Sequence, residues 1–229
     1  MLKAIVFDFD GVLADSEPLH YEAFRDVARS ELGTDFDYAW YLRHLIGFDD
    51  RDALAYLLTH AEGGAGPRDR SERVAELCRL KQVAFERLVG GGAAAMPGAM
   101  ELVDAAAARM PVAISSGATR RDIELILEGL GRMDLFETIV TADDVERSKP
   151  DPASYRIAAE RLAERHAGLG FAECLAIEDT AAGIASAKSA GLRTLGVAST
   201  GPAEALYDAE RVVGSLEEVD VETLGAWYA

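Results

Sequence analysis

Cysteine, positive charge and long apolar runs are all scarce in this chain, and each shortage removes a class of protein. Two of the 229 residues are cysteine, Cys78 and Cys174, far apart and with no Cys-x-x-Cys spacing. They read as small buried hydrophobes in a reducing compartment, not as a disulfide or a thiolate metal site. Lys and Arg number 23 against 40 Asp and Glu, a formal charge of −17. Phosphate backbones are held by a surplus of cations, so the balance argues against a nucleic-acid partner. No apolar stretch approaches the ~18 residues of a membrane span. Lys3 is followed by only four apolar residues before Asp8, which is not a signal-peptide pattern. These absences lead to the expectation of a cytoplasmic protein, monomeric or weakly dimeric, whose partner is a small molecule.

What remains is ordinary globular material, 49% hydrophobic and 28% charged. Up to residue 89 the opening run "KAIVFDF" is followed only by helical patterns: "LHYEAFRDVARSELG", "DYAWYLRHLIG", "RDALAYLLTHA" and the amphipathic "RVAELCRLKQVAFERLV". The glycine-rich "VGGGAAAMPG" at 89–98 reads as a loop or hinge. Beyond it, short apolar runs at 111–115, 138–141, 174–178, 193–198 and 211–214 alternate with helical segments. Continuous apolar strands alternating with helices predict a parallel sheet covered on both faces. The fold expected is a doubly wound, Rossmann-like α/β core, residues 1–14 and 97–229, with an all-helical insertion and its linker at 15–96.

Open α/β sheets bind ligands outside the carboxyl ends of their strands. The first strand ends in Asp8 and Asp10, the second in Ser115 and Ser116, the fourth in Glu178 and Asp179, and Lys149 follows the third. Any one of these could cap a helix or make a turn. Four acids at two strand ends need more, because close carboxylates do not all ionise without a cation. Oxygen ligands with no His or Cys beside them favour Mg²⁺ over zinc. A carboxylate can attack phosphorus, and a second acid can move the protons of leaving group and water. Lys149, the Ser115 hydroxyl and backbone N–H groups after Gly11 and around Ser116 can stabilise phosphoryl oxygens.

These residues resemble a known family. "DFDGVLADS" resembles the DxDG(V/T)xxDS signature of the haloacid dehalogenase-like superfamily. "ISSG", "SKPDP" and "IEDTAAGIASAKSAG" are similar to its second, third and fourth motifs, in the family's order. The resemblance implies that Asp8 is the nucleophile and a metal ligand, and Asp10 the general acid/base with its carbonyl on the metal. It implies that Ser115, Ser116 and Lys149 hold the phosphoryl group, and that Asp179 holds Mg²⁺ with Glu178 in support. Asp10 argues against dehalogenation, since the superfamily's dehalogenases lack that second acid.

The insertion after the first motif resembles the small helical cap of the subgroup containing phosphoglycolate phosphatases, hexose-phosphate phosphatases and β-phosphoglucomutase. That implies a cap which closes over small phosphorylated metabolites and sets their identity. His20, Gly47, Arg51 and Lys81 are the cap candidates. A mutase-type cap carries an Arg shortly after the glycine; an ungapped alignment puts Asp50 there, with Arg51 next. Lys81 reads either as a second cap cation or as a solvated lysine. The aromatics Phe36, Tyr38, Trp40 and Tyr41 read as packing between helices rather than a sugar platform. The expected activity is a Mg²⁺-dependent phosphatase working through a phosphoaspartyl intermediate. The alternatives are a β-phosphoglucomutase-type phosphotransferase and a non-catalytic phosphometabolite-binding protein.

Overall fold

The computed structural model describes residues 1–61, 70–90 and 92–229. Strand β1 (Ala4–Phe7) and the two-residue β2 (Ala14–Asp15) lead into helices α1 (Glu17–Leu32), α2 (Tyr38–His44), α3 (Asp50–Ala61) and α4 (Ser71–Val89). Strand β3 (Ala94–Ala95) follows, then α5 (Ala99–Ala107), β4 (Val112–Ser115), α6 (Arg120–Leu130), β5 (Thr138–Val140) and α7 (Ala153–Arg165). The chain continues through β6 (Cys174–Glu178), α8 (Ala181–Ser189), β7 (Arg193–Val197), β8 (Arg211–Val213) and α9 (Val221–Trp227).

The chain divides into two compact units, Met1–Asp15 with Ala94–Ala229, and Ser16–Ala93. The first is the α/β core. Its six-stranded sheet has the order β5-β4-β1-β6-β7-β8, and every pair is parallel. β1 lies centrally, with Val6 opposite Ala113 on one side and Ala176 on the other. All four β1 residues are fully buried, which explains why "AIVF" has no polar alternation. Ile5, Val6 and Phe7 each contribute about 1.5–3 kcal/mol by leaving water. On one face of the sheet Val6, Ala113 and Ala176 pack with Tyr155, Ala158 and Leu162 of α7.

Helix boundaries follow from caps. The Thr119 side chain accepts from Asp122 N to open α6, and Gly131, at φ 66°, closes it. Thr180 opens α8 by accepting from Gly183 N. The α5 and α9 segments carry no conspicuous helical signal in the sequence. α5 turns mostly small residues inward, Ala99, Val103 and Ala106 beside Leu102, and α9 has only seven residues. The unit boundary that Pro97 suggested falls at Ala94, because Ala94–Ala95 pair antiparallel with Ala14–Asp15. The glycine-rich stretch read as a loop is thus partly strand, and its Gly91 lies outside the described residues.

In the helical unit, Phe24 and Val27 of α1 pack with Leu54, Leu57 and Leu58 of α3 and Leu77 of α4. The aromatics pack on one another: Tyr21 lies edge-on to Phe36 at 6.1 Å, and Tyr38 stacks on Tyr41 at 5.9 Å. Cys174 is buried and Cys78 half-buried, both as free thiols. Among the described residues no helix is long and apolar enough to cross a membrane.

Candidate active site

Because β4, β1 and β6 lie side by side and parallel, their carboxyl ends open on one edge of the sheet. Asp8 N donates to Ile177 O at 2.9 Å, so Asp8 leaves the sheet in register with Glu178 and Asp179. Gly11 then turns the chain at φ 77°. A side chain there would be strained, and its Cβ would lie 2.3 Å from Asp179 Oδ2.

Lys149 is the hub. Its Nζ donates to Asp8 Oδ1 at 2.5 Å, to Glu178 Oε1 at 2.7 Å and to Ser115 O at 2.9 Å. Those contacts use all the donors an ammonium has. The same nitrogen stands 4.7 Å from the centre of the Tyr155 ring. Glu178 is pinned on both oxygens. Oε1 also accepts from Tyr155 OH at 3.1 Å, while Oε2 accepts from Asp179 N, Thr180 N and Thr180 Oγ1 at 2.9–3.1 Å. Gly183 makes the room: a Cβ on it would lie 1.7 Å from Glu178 Oε1.

The electrostatics are those of acids held out of water. Burial pushes the Asp8 carboxyl up to about 8; Lys149 opposes the rise, and Glu178 and Asp10 add to it. Burial also raises Asp179 far above the ordinary range, with Glu178 and Asp8 adding to the effect. Burial acts to lower Lys149, but Asp8 and Glu178 outweigh it and hold the amine protonated. One oxygen from each of Asp8, Glu178 and Asp179 lies within 4.8 Å of the others. Asp179 Oδ1 and Ser115 Oγ are buried without a hydrogen-bond partner. A buried carboxylate oxygen left in this way, in a cluster of hard ligands, fits a divalent cation.

The structure therefore brings together Asp8, Ser115, Lys149, Glu178 and Asp179. Asp10 is half-buried, bridges to Ala14, and lies near enough to raise Asp8. Several of the expected backbone donors make bonds within the protein. Ser116 N donates to Val140 O, and Ser116 Oγ accepts from Ala118 N, each at 2.9 Å. Gly11 N donates to Ala14 O, and the N–H groups of Val12, Leu13 and Ala14 turn back to Phe9 O. These amides close their own turns.

Tyr155, Thr180, Gly183, Ser199 and Thr200 were not foreseen. Ser199 Oγ donates to Gly11 O at 2.6 Å, and Thr200 Oγ1 donates to Asp179 Oδ2 at 2.5 Å. Both follow the end of β7, where the strand-end rule that found the other residues would have found them.

The helical unit has its own cluster. Lys81 is fully buried, so it is not the solvated lysine the sequence allowed. Its Nζ lies 2.8 Å from His20 Nδ1 and 2.8 Å from Asp50 Oδ1, and 4.7 Å from the Phe85 ring centre. An ammonium only donates, so His20 Nδ1 accepts and the ring proton is assigned to Nε2. His20 stacks on Phe85 at 4.3 Å. Arg51 is exposed. Gly47, at φ 80°, has open space where a Cβ would stand, so its contribution is backbone shape.

A parallel sheet with acids, hydroxyls and one lysine gathered at its carboxyl edge is an α/β fold with a ligand-binding rim. The family model for haloacid dehalogenase-like hydrolases matches residues 2–191. Protein CbbY of Rhodobacter capsulatus is 35% identical over 205 residues, covering 85% of this chain and 84% of its own. Validoxylamine A 7'-phosphate phosphatase of Streptomyces hygroscopicus subsp. limoneus is 34% identical, covering 96% of each chain. The crystal structure of β-phosphoglucomutase from Clostridium difficile superposes with a TM-score of 0.84 at 27% identity, covering 100% of this chain and 97% of that one. The chain belongs to the haloacid dehalogenase-like hydrolases, as a phosphoric monoester hydrolase related to the phosphatases and β-phosphoglucomutases of that family.

Proposed function

We propose that the chain is a Mg²⁺-dependent phosphatase of a small phosphorylated carbohydrate, working through a phosphoaspartate on Asp8. The observation that carries this reading is the Asp8–Lys149–Glu178 contact beside the partnerless Asp179 Oδ1. The carbohydrate class is suggested by validoxylamine A 7'-phosphate phosphatase.

Asp8 and Asp179, with the Asp10 carbonyl, would hold the cation; Glu178, its oxygens already engaged, orients its neighbours. When bound, Mg²⁺ supplies charge neutralisation between the phosphoryl group and the carboxylates. Lys149 fixes one Asp8 oxygen and leaves the other to attack phosphorus. As that bond forms, the bond from phosphorus to the ester oxygen breaks, and Asp10 gives its proton to the leaving alkoxide. Water then attacks the phosphoaspartate. Asp10 takes a proton from the water, phosphate departs, and the Asp8 carboxylate is restored. The Ser115 hydroxyl, buried without a partner, would donate to a phosphoryl oxygen.

The test is phosphate release across a panel of sugar monophosphates and bisphosphates with Mg²⁺, after EDTA, and with Asp8→Asn. Release that needs Mg²⁺ and Asp8 supports the reading; release that survives EDTA contradicts it.

A β-phosphoglucomutase-type phosphotransferase is the second reading, favoured by the superposition on the Clostridium difficile enzyme. It requires a bisphosphate primer and returns a phosphorylated product instead of free phosphate.

A further inference from the structure

We propose that Thr200, supported by Ser199, is a positioning residue that sets the affinity of this site for its divalent cation. The inference rests on the metal reading above and extends it to a loop that the four motifs do not include.

A carboxylate can turn about its last torsion and exchange its two oxygens. Asp179 cannot do so freely. Thr200 Oγ1 donates to Oδ2, and Oδ1 is left buried with no partner. The hydroxyl thus decides which oxygen is committed to the protein and which remains for a ligand. Thr suits this position better than an unbranched residue because branching at Cβ restricts its first torsion. Its methyl group lies against Gly11: a Cβ on that glycine would come within 2.7 Å of Thr200 Cγ2. The side chain is therefore held between the turn after β1 and the acid after β6.

Ser199 fixes the same turn from the other side. Its Oγ donates to Gly11 O at 2.6 Å. Two adjacent hydroxyls thereby tie the loop after β7 to the residue following Asp10 and to Asp179. Groups of this kind, which touch a metal ligand and not the metal, commonly change affinity by about 10- to 100-fold when removed.

The measurement is Mg²⁺ affinity by calorimetry, with Mn²⁺ binding by electron paramagnetic resonance as a second readout. The metal-free melting temperature in EDTA is followed in parallel. Wild type, Thr200→Val, Thr200→Ala, Thr200→Ser and Ser199→Ala are compared. Thr200→Val and Thr200→Ala should weaken both ions by about 10-fold or more, and Thr200→Ser should restore affinity close to wild type. Ser199→Ala should weaken binding less, since Asp179 keeps its own hydrogen bond. Wild-type Mg²⁺ affinity in folded Thr200→Val and Thr200→Ala would overturn the inference and leave the metal reading intact. So would a fall in the metal-free melting temperature without a change in affinity, which is what a purely structural threonine gives. Absence of Mg²⁺ binding in the wild type would overturn the metal reading itself.

Discussion

The Lys149 ammonium stands 2.5 Å from Asp8 Oδ1, joining residues 141 positions apart in the chain. The same nitrogen holds Glu178, so one cation serves two buried carboxylates. Lys149→Met should therefore harm both stability and turnover. Removing one partner of a buried charge cluster costs about 3–5 kcal/mol. Urea unfolding of the metal-free protein checks this, and an unchanged midpoint would show that the two acids take up protons without loss.

Gly183→Ala offers a test in the opposite direction from helix propensity. Gly183 lies within α8, where Ala is ordinarily better by about 1 kcal/mol. Here the new Cβ would meet Glu178 at 1.7 Å. Overpacking of this kind costs about 1–3 kcal/mol, so the melting temperature should fall. Glu178→Ala combined with Gly183→Ala should lose less than the sum of the two. Additive losses would mean that the carboxylate and the glycine are independent.

In the helical unit, Asp50→Ala takes the carboxylate from the buried Lys81 ammonium and leaves its hydrogen bond to His20. Lys81→Met removes the charge but keeps an unbranched apolar side chain among Phe24 and Phe85. Asp50→Ala should be the more destabilising, by about 1–3 kcal/mol. Equal losses would show that packing, not charge pairing, dominates the cluster.

Asp35 gives the helical unit a pH dependence. Hydrogen bonds from Arg29 and Arg25 hold its carboxyl well below the usual range. A carboxylate lowered in the folded state stabilises above its unfolded value of 3.8, and that stability is lost as pH falls through its folded value. Asp35→Asn should therefore melt below wild type at neutral pH, by a small amount because the pair is exposed. The difference should shrink as pH drops below about 4. A difference of unchanged size between pH 6 and pH 2 would assign it to shape rather than charge.

Much of the core was legible in the sequence. "AIVF", "VAIS" and "CLAIE" are apolar without alternation because both faces of their sheet are covered, and the acids and hydroxyls at their ends mark its binding edge. What escaped was of two kinds. β2 and β3 exist only through pairing across the insertion, which no local pattern announces. The small inward residues of α5 carry little periodic contrast. Lys81 and Thr200 did leave a signal. Lys81 sits on the buried stripe of α4, between Leu77 and Phe85 at four-residue steps, and a charge on an apolar face asks for a partner. Thr200 stands just past the end of β7, as Asp8 and Asp179 stand past theirs. Which carboxylate it would meet depends on strand order, which the sequence does not state.

The central claim is that Asp8 itself takes the phosphoryl group. The most direct test is to quench the enzyme during turnover of a sugar phosphate, reduce with borohydride, and map the modified residue by mass spectrometry. The account predicts modification at Asp8, absent in Asp8→Asn and enriched in Asp10→Asn, where attack of water on the intermediate is slowed by about 10²–10⁴-fold. Turnover with no modified Asp8, or modification at another acid, would contradict it.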